Sequence, residues 1–348
     1  MEQPLELGLD TFGDMTVDAD GAVRSQAQVI RDVIEEAVVA DQYGVDFFGV
    51  GEHRRDDFAV SAPEVVLAAI AGQTTRIRLG SAVTVLSSDD PVRVFERFST
   101  LDAASNGRAE VILGRGSFTE SFPLFGYDLN QYELLFEEKI GLFSELVKGG
   151  PVTWRGTTRS SLTNQRVHPE GESRLTTWVG VGGSPESVIR AARYEMPLML
   201  AIIGGNPLRF SPLVDLYRQH LETRGTPQLP VGVHSPGYVA ETDEIAREEL
   251  WPFMKSSRDR IGAERGWGPM TRESFDREAS EHGSLYVGSP DTVARKIART
   301  ASALGLTRFD MKYSAGQLPH EQLLRCIELY GSKVTPLVHE MMASPATP

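Results

Sequence analysis

Short apolar runs bounded by glycine, proline or charged residues alternate along this chain with longer segments whose apolar residues recur every three to four positions. The first kind reads as buried strand and the second as amphipathic helix. Strands are expected at residues 5–12, 45–51, 77–80, 109–113, 177–181, 197–203, 230–239 and 307–312. Residues 27–43 set Val29, Ile30, Val33, Ile34, Ala37 and Val38 on one helical stripe, and Gly44 ends it. Later helices share an opening: Ser61 with Pro63, Asp90 with Pro91, Ser184 with Pro185, and Ser289 with Pro290. Each offers a capping oxygen and a proline near the first turn. Strands alternating with helices in this number predict an α/β chain folded as a closed (β/α)8 TIM barrel. A doubly wound sheet would want a phosphate-binding glycine fingerprint after its first strand, and Gly13-Asp14-Met15 does not supply one.

Two stretches break the alternation. Residues 151–175 suggest a small hairpin, and residues 247–285, charged but holding Trp251, Trp267 and Phe275, suggest a helical excursion. Long insertions of this kind often serve as lids. Residues 1–348 are therefore read as a single barrel domain carrying insertions near 151–175 and 247–285. The formal net charge of −13, with both signs interspersed, argues against nucleic acid or an anionic membrane as the main partner. A single cysteine, Cys326, excludes a disulfide framework within one chain, and its helical neighbours make it a buried apolar residue. No signal pattern opens the chain and no run approaches about 18 uninterrupted apolar residues, so a cytoplasmic protein is expected.

Parallel barrels place function at the C-terminal ends of their strands. Three successive strands here run into reactive side chains: 45–51 into Glu52-His53-Arg54, 77–80 into Ser81-Ala82-Val83, and 109–113 into Gly114-Arg115-Gly116. One shared pocket is expected. The His53 imidazole suits proton transfer near neutrality, unless it is only bonded within its loop. Arg115, between two glycines, offers a fork of donors where backbone can approach a ligand; the alternative is an ion pair across the barrel mouth. Gly182-Gly183-Ser184-Pro185-Glu186-Ser187 joins a strand to a capped helix, so N–H groups and hydroxyls converge on a spot suited to phosphate. Phe118, Phe122, Phe125 and Tyr127 either line the pocket or form local core, and Gly204-Gly205-Asn206 is a further candidate pocket edge. His-Glu-x-x-His, cysteine-pair, Gly-x-Ser-x-Gly and Walker patterns are absent from the sequence, so neither a metal nor a serine nucleophile is expected.

Taken in order, Gly51-Glu52-His53, the run from Leu79 through Ala82-Val83 to Leu86, Asp90-Pro91-Val92-Arg93, Leu101-Asp102 with Asn106-Gly107-Arg108, and Gly114-Arg115-Gly116 resemble the bacterial luciferase-like flavin-dependent monooxygenases. Residues 182–187 and 287–291 continue the match. The resemblance implies a TIM barrel that uses reduced FMN, bound or as cosubstrate and often delivered by a separate flavin reductase. With O2 it would oxygenate a small organic, carbonyl-type substrate through a flavin C4a-hydroperoxide. By position it implies a non-proline cis peptide at Ala82-Val83 against the flavin ring and Arg115 as a flavin anchor. Gly182, Gly183, Ser184 and Ser187 would take the phosphate, His53 would be the acid or base beside the reacting carbon, and Glu52, grouped with it in the catalytic site, would support the strand end or the ring. Related barrels use the deazaflavin F420 for hydride transfer, and a non-catalytic flavin-binding protein is a third reading. Relatives are commonly homodimers packed through early barrel helices, a role the apolar run from Val65 to Ile70 would suit. Bacterial luciferase has a second histidine where this chain has Arg54, a reactive cysteine where it has Gly114, and a phosphate arginine where it has Glu133. Those departures argue against light emission and leave the phosphate cradle to be completed differently, with Tyr132 or a residue of an insertion as candidates.

Overall fold

The computed structural model describes residues 4–343 apart from 19 and 173. Its centre is a barrel of eight parallel strands: β1 Glu6–Thr11, β2 Phe47–Val50, β3 Arg78–Ser81, β4 Ala109–Gly114, β5 Thr176–Val181, β6 Leu198–Ala201, β7 Val231–Val239 and β8 Arg308–Lys312. Neighbours in sequence are neighbours in space, and β8 returns to β1 in a register running from Glu6↔Arg308 to Asp10↔Lys312. Closure leaves the barrel sheet without an unpaired edge. All the strands forecast from the apolar pattern are present, with ends that differ by at most one or two residues. After β3 the chain breaks step and then forms the two-residue strand Thr84–Val85, which pairs with the end of β4.

The strands are buried on both faces, which explains their near-continuous apolar runs. Alternate residues divide between two cores. Leu7, Leu9, Phe48, Val50, Leu79, Val111 and Leu113 belong to the large core that includes the helices, whereas Phe47, Ile112, Trp178 and Met199 form a separate cluster with Val83 packed on it. With the second cluster sits a charged group that no apolar pattern announces. Fully buried Arg308 donates from Nε to both Asp310 oxygens at 2.9 and 3.0 Å and from Nη1 to Glu110 at 2.6 Å, with its guanidinium 3.4 Å from the Phe47 ring centre. Trp178 Nε1 donates to the same Glu110 oxygen at 3.0 Å. Buried charges persist only when paired in this way. Burial still raises the Asp310 carboxyl to about 6 against the pull of Arg308.

Asp90, Ser184 and Ser289 cap their helices as expected. The helix Pro63–Ala71 is different: Ala62 is its N-cap, so Ser61 lies outside the capping position and proline alone marks the start. Val152–Trp154 and Leu162–Gln165 form the predicted hairpin. The late excursion begins before residue 247, at a Thr242 cap, and consists of the helices Asp243–Arg265 and Arg272–Ala279. Cys326 is buried, and its Sγ accepts the Val239 N–H at 3.2 Å. Among the described residues no helix is long and apolar enough to cross a membrane.

Candidate active site

The C-terminal ends of the strands and the loops beyond them enclose a cavity of about 660 Å³. His53, Glu52, Ala82, Val83, Arg115 and Gly182 all contribute to its wall, so the three strand ends singled out in the sequence do converge. Gly183, Ser184 and Ser187 lie outside the wall, at the start of the helix Pro185–Arg193.

His53 is held in an aromatic cage, with ring centres 4.1 Å from Phe12, 4.8 Å from Phe58 and 4.4 Å from Phe118. This burial pushes the imidazole down to about 3, and the nearby Lys312 and Arg55 cations push the same way. His53 is therefore a neutral ring across the physiological range, unlike the group titrating near neutrality that its residue type suggests. Glu52 points its chemistry elsewhere. Its Oε1 accepts the Val85 N–H at 2.8 Å and its Oε2 pairs with Arg54 at 2.6 Å, so it fastens the end of β2 to the segment after β3. Burial raises the Glu52 carboxyl above its usual range.

The Ala82-Val83 peptide bond is cis. Val83 occupies space that glycines leave for it: a Cβ on Gly114 would come within 2.4 Å of Val83 Cγ2, and one on Gly180 within 3.0 Å of Cγ1. The result is a small apolar platform facing the cavity.

From Arg115 a polar path leads out of the cavity. Its guanidinium pairs with Glu133, whose other oxygen takes Arg190 Nη2 at 3.1 Å. Arg190 also donates to Glu137 at 2.7 Å and reaches Ser187 Oγ at 3.5 Å, while Ser187 Oγ and Ser184 Oγ lie 2.8 Å apart. Where position 133 carries a glutamate, an arginine thus stands at 190, one turn after Ser187. Tyr132 lines the cavity, and its hydroxyl donates to the Gly116 carbonyl at 2.8 Å. The i, i+3 spacing of Ser187 and Arg190 was the sequence signal for this pair.

Of the aromatic cluster only Phe118 lines the cavity; Phe122 is buried against Tyr132, Phe125 is exposed under Arg54, and Tyr127 covers Lys139. Gly204 reaches the cavity edge, whereas Asn206 caps the next turn. The late excursion closes one side with Met254, Ile261, Arg265 and Trp267. It is latched by Arg55, which donates twice to Glu264 at 2.7 and 2.8 Å, and by Arg265 Nη2 to the Ser117 carbonyl at 2.9 Å. Sequence reasoning also passed over His234 and Asp10. They are 224 residues apart but meet at 2.7 Å in the cavity wall.

A family model described as luciferase-like monooxygenase matches residues 11–308. Over 306 residues the chain is 29% identical to N-acetyl-S-alkylcysteine monooxygenase of Bacillus subtilis, covering 83% of this chain and 88% of that one. Its fold is similar to that of the monooxygenase RslO1 from Streptomyces bottropensis, with a TM-score of 0.81 at 23% identity over 95% of this chain and 99% of the other. It is also similar to the oxygenating constituent of 3,6-diketocamphane monooxygenase from Pseudomonas putida, a type II Baeyer-Villiger monooxygenase in complex with FMN. There the TM-score is 0.75 at 19% identity, covering 96% and 99% of the two chains.

Proposed function

Since the chain belongs to the luciferase-like monooxygenase family, we propose that it uses reduced FMN and O2 to oxygenate a small carbonyl-type substrate. The observation that carries this reading is the continuous run from the Val83 platform through Arg115 to Arg190 and the Ser184–Ser187 cap. An apolar seat joined to two guanidinium groups and a helix N-terminus fits a flat ring system that ends in a phosphate.

Reduced FMN, when bound, supplies the electrons with which O2 is activated. The chain does the rest. The Ala82-Val83 segment, tied down through Val85 by Glu52, supports the ring. Arg115, Arg190, Ser184 and Ser187 with the Gly182-Gly183 backbone hold the phosphate, and Glu133 yields its place to it. His53 offers the substrate a neutral hydrogen-bonding nitrogen, and its cage of Phe12, Phe58 and Phe118 excludes water together with the latched excursion.

An anaerobic titration of the protein with reduced FMN and, in parallel, with reduced F420 tests this reading. FMN is expected to bind more tightly, and admitting O2 with a panel of small ketones and aldehydes should yield an oxygenated product. Tighter binding of F420, or flavin reoxidation with no product from any carbonyl compound, would overturn it.

A further inference from the structure

His234 lies on β7 and Asp10 on β1, strands separated by β8, and Nδ1 meets Asp10 Oδ2 at 2.7 Å across that gap. Asp10 is wholly buried, yet its Oδ1 has no hydrogen-bond partner. His234 Nε2 likewise has no protein partner among the described residues, although the ring lines the cavity. A pair serving only to tie strands together would be expected to have its buried polar atoms satisfied. Here buried Asp10 Oδ1 is left over, and both Asp10 and His234 line the cavity.

The chemistry of the pair follows from donor rules. An ionised carboxylate only accepts, so Nδ1 carries the hydrogen and Nε2 keeps its lone pair. Other charges nearby are already engaged: Asp310 by Arg308 through both oxygens, and Lys312 by Asp14 at 3.0 Å and by Ser314. The titratable groups facing His234 are Asp10 from β1 and Asp310 and Lys312 from β8. Burial lowers the proton affinity of His234, but Asp10 and Asp310 outweigh burial and Lys312, so the net direction is upward. The Phe12 ring is shared by both histidines, 4.1 Å from His53 and 6.4 Å from His234. One imidazole is kept neutral while the other can hold a proton.

We propose that Asp10 and His234 form a catalytic dyad that accepts the proton of a conjugated O–H on the substrate, a phenol or the enol of a ketone. The O–H bond breaks, its electron pair stays on oxygen and delocalises into the conjugated carbons, and an N–H bond forms at Nε2. Nothing is oxidised in this step, and the proton returns to the product. Deprotonation enriches the carbon to be oxygenated, and in that respect the inference rests on the monooxygenase reading. The aromatic faces of Phe12, Phe58 and Phe118 fit a flat conjugated guest.

The test uses 3-nitrophenol, whose ionised form is coloured and whose midpoint lies well above that of an ordinary imidazole. It is added to the full-length protein about one pH unit below the midpoint of the free dye, on the alkaline side of the ordinary imidazole range. Bound dye is expected to be ionised to at least about fivefold the free fraction. In His234→Gln the dye should bind without that rise, and Asp10→Asn, which keeps the volume and an acceptor for Nδ1–H, should diminish it. Asp10→Asn carries the comparison should His234→Gln fail to fold, as judged by circular dichroism. No binding, binding as the neutral phenol, or an unchanged rise in His234→Gln would each overturn the proposal. FMN is titrated into the same samples. Flavin binding without dye ionisation removes the dyad and leaves the flavin reading, and ionisation without flavin binding does the reverse.

Discussion

Replacing Glu133 with glutamine should tighten FMN binding. The Glu133 carboxylate spans Arg115, in the cavity wall, and Arg190, which reaches Ser187, and on this reading an entering phosphate must take those donors from it. The three groups differ in exposure: Glu133 is 58% exposed, Arg115 27% and Arg190 only 8%. An ion pair with so exposed a carboxylate is worth roughly 0.2–1 kcal/mol, and two such contacts together about 1 kcal/mol. Repulsion between the retained carboxylate and a neighbouring phosphate adds roughly 1 kcal/mol or less per unit charge in water, and less still at physiological ionic strength. Glu133→Gln should thus gain about 1–2 kcal/mol, or roughly 5- to 30-fold in Kd. Quenching of FMN fluorescence measures it, at low and at high salt, with riboflavin as the ligand lacking phosphate. The gain should shrink with salt and vanish for riboflavin. An unchanged or weaker FMN affinity, or an equal gain for riboflavin, would refute the assignment of Arg115 and Arg190 to phosphate.

Other consequences can be measured separately. In Gly8→Ala the new Cβ would lie 2.1 Å from Asp310 Oδ1, an atom pinned by Arg308, so stability should fall by about 1–3 kcal/mol in urea melts with no change in slope. His53 has a folded-state proton affinity set at about 3, below the roughly 6.5 of a free imidazole, so its contribution is complete above pH about 6.5 and is lost as pH falls towards 3. The loss should approach about 1.4 kcal/mol per pH unit from this residue, and His53→Asn should flatten that limb of the stability profile. Arg55→Ala should release the late excursion, seen as faster hydrogen exchange in the last turns of the helix Asp243–Arg265; unchanged exchange would mean that Arg265 and the Arg260–Asp56 pair are enough to hold it.

The barrel was legible because buried strands, capped helices and glycine stops write themselves locally. The convergence of Glu52, Val83 and Arg115 was legible for the same reason, since barrel topology brings successive strand ends together. What escaped depends on contacts that no local pattern encodes. The state of His53 is set by Phe12, Phe58 and Phe118, which approach from three different segments. Arg308 on Glu110, and Asp10 on His234, join residues about two hundred or more positions apart across the closed barrel. The bond from the Val85 N–H to Glu52 depends on the break after β3, which no local pattern announces.

The glycines around Val83 carry a consequence for how this site can change. Side-chain volume at positions 83, 114 and 180 is held in common, because Val83 fills what Gly114 and Gly180 leave empty. A methyl group added at 114 has no room while valine stands at 83, and it gains room if position 83 shrinks to alanine. Gly114→Ala should therefore weaken FMN binding about tenfold, as overpacking of about 1–3 kcal/mol would, and Val83→Ala in the same chain should restore most of it. Substitutions that look independent along the sequence are permitted here only in a particular order: the platform residue must become smaller before its neighbour can become larger.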